Sequence, residues 1–122
     1  MSTLTVTNIK ATGEAASRAV SGVAASWVDY KGTSPNAIMD SSNISSVTDN
    51  GTGDYTMTFA NAMASANYCL TDGAERLENN NSPSITGFET TSSTSYIHNH
   101  WNSGFAVSDM FRTYSQASGD LA

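Results

Sequence analysis

Apolar and polar positions alternate most sharply near the middle of the chain. In residues 54–59, Tyr55, Met57 and Phe59 fall on one side and Asp54, Thr56 and Thr58 on the other. That is the period of a strand with one buried face. The preceding residues 44–48 carry Ile44, Val47 and Thr48 in a short β-branched run, and Asp49-Asn50-Gly51-Thr52-Gly53 lies between the two. Asn and Gly tolerate positive φ, so the pattern predicts a β-hairpin with a tight polar turn. Tyr55, Met57 and Phe59 are expected in the core with Val28 or Trp27, Tyr68 and Phe105.

The rest of the chain repeats this theme more weakly. Residues 4–9 alternate enough for a short strand, while the small residues at 11–22 suit either an extended arm or a turn or two of helix over 14–20. Residues 23–30 read as a central strand, because apolar groups fall on both faces: Val23, Ala25 and Trp27 on one, Val28 and Tyr30 on the other. Residues 31–36 form a turn, and 37–42 are ambiguous. Strands are expected over 67–72, 85–94, 96–101 and 105–111, with a long polar loop at 73–84 and turns at 92–95 and 102–104. Short strands punctuated by turn signals every eight to twelve residues predict an all-β fold, a single antiparallel β-sandwich or barrel-like domain. The division expected is an extended N-terminal docking arm, residues 1–22, followed by a β-domain, residues 23–122.

The run NISSVTDNGTGDYTMTF at 43–59, followed by Ala62-Met63 and Ala66-Asn67-Tyr68 and preceded by Trp27-Val28, resembles a segment of tail-fibre and other virion-surface proteins of tailed phages. The resemblance covers roughly residues 23–72, and residues from Glu75 on carry none of it. It implies a non-enzymatic structural protein on the exterior of a tailed-phage virion, foremost a small tail-fibre or receptor-binding component. A trimeric capsid decoration protein is the alternative, and a free carbohydrate-binding module is a third reading. Apolar groups on both faces of a strand in so polar a chain suggest surface covered by a neighbour, so a homotrimer is expected, with the arm contacting other virion proteins.

Composition narrows these readings. The 122 residues suffice for one domain, charged residues make up only 13% and hydrophobic ones 39%. Leu is scarce while Ser, Thr, Asn and Gly abound, which suits strands and turns rather than helices. The formal net charge is −6, and the basic residues Lys10, Arg18, Lys31, Arg76 and Arg112 are spread singly. Neither nucleic acid nor an anionic membrane is an expected partner. The N-terminus MSTLTVTN lacks the basic start and apolar core of a secretory signal. No apolar run approaches the roughly 20 residues that span a bilayer. The expected location is a virion surface, reached from a host cytoplasm. The single cysteine, Cys69, sits in the apolar run ANYCL. It is expected to be a small buried residue, because no neighbouring charge lowers its pKa.

Candidate chemistry is sparse. His98-Asn99-His100 would place two imidazoles on one side of a strand. Two His without a nearby Cys or acid make an incomplete metal site. The resemblance implies that such pairs can hold a metal on a trimer axis. Set beside Tyr96 and Trp101, they are instead expected on a surface strand, so that replacing both leaves stability and metal content unchanged. No cofactor and no metal are expected. Asp49 and Asp54 flank the hairpin turn and read as turn-stabilising side chains rather than Ca²⁺ ligands. No phosphate loop, nucleophile elbow or HExxH is present, and no nucleophile–base pair stands out, so no catalytic residue is assigned. Host-surface glycan is the expected ligand class, contacted by Asn79, Asn80 and Asn81 and by the aromatics Tyr96, Trp101 and Tyr114. The same aromatics also suit a core or a subunit interface.

Overall fold

The computed structural model describes residues 2–3, 5–9, 12, 18–19, 23–75 and 85–122. Among the described residues ten strands run in chain order: β1 (Asn8–Ile9), β2 (Arg18–Ala19), β3 (Ala24–Lys31), β4 (Ala37–Ser42), β5 (Ile44–Gly51), β6 (Asp54–Phe59), β7 (Cys69–Glu75), β8 (Ile85–Thr91), β9 (Ser95–Trp101) and β10 (Arg112–Ser118). β1 and β2 pair as a two-residue antiparallel ribbon, with Asn8 opposite Ala19. Arg18 and Ala19 are therefore extended rather than helical, and of the strand expected at 4–9 the described residues 5–9 form one only at Asn8–Ile9.

The other strands form two four-stranded antiparallel sheets, ordered β4-β3-β10-β7 and β5-β6-β9-β8. The domain is a β-sandwich and not a closed barrel. The core sits between the sheets, and the central hairpin supplies much of it. Tyr55, Met57 and Phe59 are buried on β6, as the alternation predicts, facing Val28 and Tyr30 of β3 and Ala117 of β10. Phe59 meets Tyr68 edge-on, with ring centroids 5.6 Å apart. Of the two candidates on β3 it is Val28 that turns inward, while Trp27 faces outward and is exposed.

Phe105 departs from expectation. It is 78% exposed, and residues 102–111 form an irregular crossing between the sheets, not a strand. The Asn102 side chain accepts hydrogen bonds from the Gly104 and Ala106 amides, and Phe105 has a φ of 59°. The chain is turned too tightly there to pair as a strand, and the ring projects outward. The strand of this region is β10, which lies centrally between β3 and β7. Its inward positions are Thr113, Ser115 and Ala117 and its large aromatic, Tyr114, points out. That inverts the usual pattern and conceals the strand in the sequence.

The connections divide between two ends. At one end, Gly32 N–H bonds the Met110 carbonyl, Gly53 N–H bonds Asp109, and Ile85 pairs with Trp101. At the other, the Val23 carbonyl accepts from Gly119, Ala62 from Ala122, and Asn43 from Ala60. Residue 23, where the sandwich begins, thus lies opposite the 51–53 turn and the 102–111 crossing. Among the described residues no helix is long and apolar enough to cross a membrane.

Candidate functional site

The two faces of the β4-β3-β10-β7 sheet differ in kind. Its inner face joins β6 and β9 around a polar cluster. His98 and His100, two apart on β9, both point inward and are fully buried, their rings 4.4 Å apart and nearly perpendicular. His98 Nε2 lies 2.8 Å from Asp72 Oδ2 on β7. The Tyr30 hydroxyl lies 3.4 Å from both His98 Nδ1 and His100 Nε2. One proton arrangement satisfies this chain: His100 Nε2–H donates to the Tyr30 oxygen, Tyr30 O–H to His98 Nδ1, and His98 Nε2–H to Asp72. His100 Nδ1 is then left buried without a partner. A free buried acceptor is costly, and a buried charge more so. Burial, helped by His98, accordingly lowers the His100 pKa to about 3. The hydrogen bond from His98 lowers that of Asp72.

This corrects the surface placement expected for His98 and His100. Polar residues are normally outside, but Phe88 stacks on His98 at 4.8 Å and Tyr55 packs against His100 at 5.5 Å. These rings, with Tyr30, cover both imidazoles, while Asp72 reaches them from the exposed edge strand β7. Among the described residues no group of three His, Cys, Asp or Glu side chains is arranged to hold a metal ion. Tyr55 is similarly enclosed. Its hydroxyl lies 2.6 Å from the Gly32 carbonyl and 2.7 Å from Asp109 Oδ1, tying the turn after β3 to the 102–111 crossing.

The outer face is open. β10 pairs in register with both neighbours, so Trp27, Gln116 and Thr71 form one cross-strand row and Asp29, Tyr114 and Gly73 the next. Trp27 and Tyr114 are each 39% exposed. They stand on diagonal positions of adjacent strands, and Gly73, having no side chain, leaves the space beside Tyr114 unfilled. The result is an open depression of about 520 Å³. Arg112 fixes its rim. Its Nε donates to Asp29 Oδ1 at 2.9 Å, its Nη2 bonds Asp29 Oδ2, and its guanidinium carbon lies 5.7 Å from the Tyr114 ring centroid. The Tyr114 hydroxyl donates to Glu75 at 3.2 Å.

The other candidates scatter. Tyr96 is 1% exposed, its hydroxyl 2.7 Å from Ser115 Oγ, so it belongs to the core and contacts no ligand from there. Trp101 is half-buried at the end of β9, over Gly87. Tyr114 alone of the three aromatics joins an open surface, on a sheet and not on a loop. Asn79, Asn80 and Asn81 lie outside the described residues. Cys69 is exposed at the start of an edge strand, contrary to the burial expected for it. Asp49 and Asp54 act within the turn, Asp49 Oδ1 accepting from Gly51 N–H and Asp54 Oδ1 from Asn50. Sequence reasoning missed Gly73, Gln116 and Thr71, whose only signal is their register across β10. No protein-family model, curated protein or solved structure matches the chain.

Proposed function

We propose that this chain is a non-enzymatic structural and recognition domain on the exterior of a tailed-phage virion, a small tail-fibre or receptor-binding component held to the particle by residues 1–22. The observation that carries this reading is the 43–59 segment. Its resemblance to virion-surface proteins lies in residues that fold as the β5–β6 hairpin and supply Tyr55, Met57 and Phe59 to the core. The resemblance therefore takes in the buried face of β6 as well as the exposed β5 and turn. The division of ends supports it further. Residue 23 leaves the sandwich at one end, while the 51–53 turn and the 102–111 crossing cluster at the other. A domain tethered through its N-terminus presents the latter end outward. The burial of His98 and His100 and their bonds to Tyr30 and Asp72 support a binding role over a catalytic one, since these polar groups are spent on one another. Exposed Phe105, Met39 and Val107 supply apolar surface suited to contacts in a homotrimer.

Purified parent particles test the reading. The chain is expected in wild-type particles by mass spectrometry and absent when residues 1–22 are deleted. Replacing Asn79, Asn80 and Asn81 with Gly, Ser and Gly is expected to leave incorporation intact and to reduce adsorption to host cells. Particles that lack the wild-type chain, or that incorporate the arm deletion normally, overturn the proposal.

A further inference from the structure

We propose that the outer face of the β3-β10-β7 strands binds an uncharged pyranose ring in the depression lined by Trp27, Tyr114, Gln116 and Gly73. The inference rests on reading the chain as a recognition domain, but it names a ligand class and a site away from the loops.

The physical case starts with what the face exposes. An aromatic ring carries negative density on its face, and the axial C–H bonds of a pyranose carry slight positive charge. Stacking the two buries apolar surface on both without stranding a hydroxyl. Two exposed aromatics on diagonal positions of adjacent strands, with a missing side chain between β10 and the β7 edge, leave a depression of about 520 Å³. That volume falls in the range of small-ligand sites. Hydroxyls around a ring's edge need fixed partners, and Gln116 and Thr71 offer an amide and a hydroxyl in the row beside Tyr114. Asp29 offers a carboxylate held in place by two bonds from Arg112. A pre-fixed carboxylate costs no ordering when it accepts from a sugar hydroxyl.

Charge selects the class. Arg112 on this face is engaged by Asp29, Lys31 shares the face two positions beyond Asp29 on β3, and Glu75 adds a second carboxylate beside Tyr114. With a whole-chain net charge of −6 and the Asp29 and Glu75 carboxylates beside the depression, an acidic sugar meets net repulsion here. A neutral hexose or N-acetylhexosamine does not.

Gly73 gives a test that spares the fold. A Cβ built there meets only Tyr114 Cδ2, at 3.9 Å, an ordinary contact. Gly73→Val should fill the depression on an edge strand that tolerates a β-branched residue. The experiment is NMR titration of the full chain with methyl β-glucoside, methyl β-galactoside, N-acetylglucosamine and N-acetylneuraminic acid. The two indole N–H signals report separately on Trp27 and Trp101. At least one neutral sugar is expected to shift the Trp27 signal saturably at millimolar concentration, leaving Trp101 unmoved. Trp27→Ala and Tyr114→Ala are each expected to weaken binding about tenfold, and Gly73→Val to abolish it with an unchanged melting temperature. No response to any neutral sugar, a response at Trp101 alone, tighter binding of N-acetylneuraminic acid, or full binding by folded Gly73→Val would each overturn the proposal. So would a change of oligomeric state in Trp27→Ala by light scattering, which would make this face a contact between copies. Because the titration uses the isolated chain, its failure leaves incorporation into particles untouched, and the two proposals fail separately.

Discussion

At the scale of single residues, the decisive pair is His98 and His100. Period-2 alternation placed both on one side of a strand, and that is correct. Which side was not legible, because imidazoles are read as solvated unless something on another strand seals them. The residues around them, Tyr30, Tyr55, Phe88 and Asp72, come from β3, β6, β8 and β7, and no local pattern brings them together. Replacing both histidines with Ala should therefore destabilise the protein, by about 3 kcal/mol or more through lost packing and the loss of their bonds to Tyr30 and Asp72. A loss under about 1 kcal/mol in urea denaturation would return both rings to the surface.

Their burial also sets a pH dependence. The folded-state pKa of His100 is lowered to about 3 from the ordinary 6.5, because burial and neighbouring His98 disfavour the cation while Asp72 and Asp109 only partly offset them. Below pH 6.5 the unfolded chain takes up a proton that the folded one refuses. Stability is thus fully present above about pH 6.5 and declines as pH falls toward 3, by about 2 kcal/mol at pH 5. Asp72, whose pKa is lowered, adds a loss only as pH falls below the ordinary carboxylate range. Denaturation midpoints at pH 7.5 and 5 should differ accordingly in the wild type, and much less in His100→Gln.

At the scale of elements, the β5–β6 hairpin was the most legible part of the chain and β10 the least. The hairpin announces itself through large apolar residues on one face and Asn-Gly in the turn. Gly53 has a φ of 70°, and a Cβ there would lie 2.6 Å from the His100 carbonyl oxygen and 2.9 Å from the Ser108 amide nitrogen. Gly53→Ala should cost at least about 2 kcal/mol, combining backbone strain with displaced main chain. Gly51→Ala, with a φ of 141° but nothing within 4 Å of its Cβ, should cost backbone strain alone, without displaced main chain. Equal effects would mean that the turn is held by its own geometry and not by the 102–111 crossing. Phe59→Ala should cost about 3–5 kcal/mol. β10 gave no such signal because its inward Thr113, Ser115 and Ala117 are small, fitted beneath the large rings of Tyr30 and Tyr96, while the aromatic Tyr114 faces outward. The same inversion hid the candidate site. An outward aromatic on an unrecognised strand looks like a loop residue, and its partners Thr71 and Gly73 acquire meaning only through the register with β7.

At the scale of the whole molecule, the all-β class followed from strand-length runs and turn residues, while the choice of sandwich over barrel came only with the two separate sheets. The opposition of the two ends followed only from the fold. It depends on bonds such as Gly119 to Val23 and Gly53 to Asp109, between residues 96 and 56 apart in the chain. That opposition gives the proposed function its geometry. The measurement that tests it most directly is cryo-microscopy of the parent particle at a resolution that places the sandwich. The expected result is density on the tail, with the residue 23 end toward the particle and the 51–53 turn and 102–111 crossing facing outward, around a threefold axis. Particles without this density, or density with the 102–111 end buried against the particle and residue 23 outward, would contradict the account.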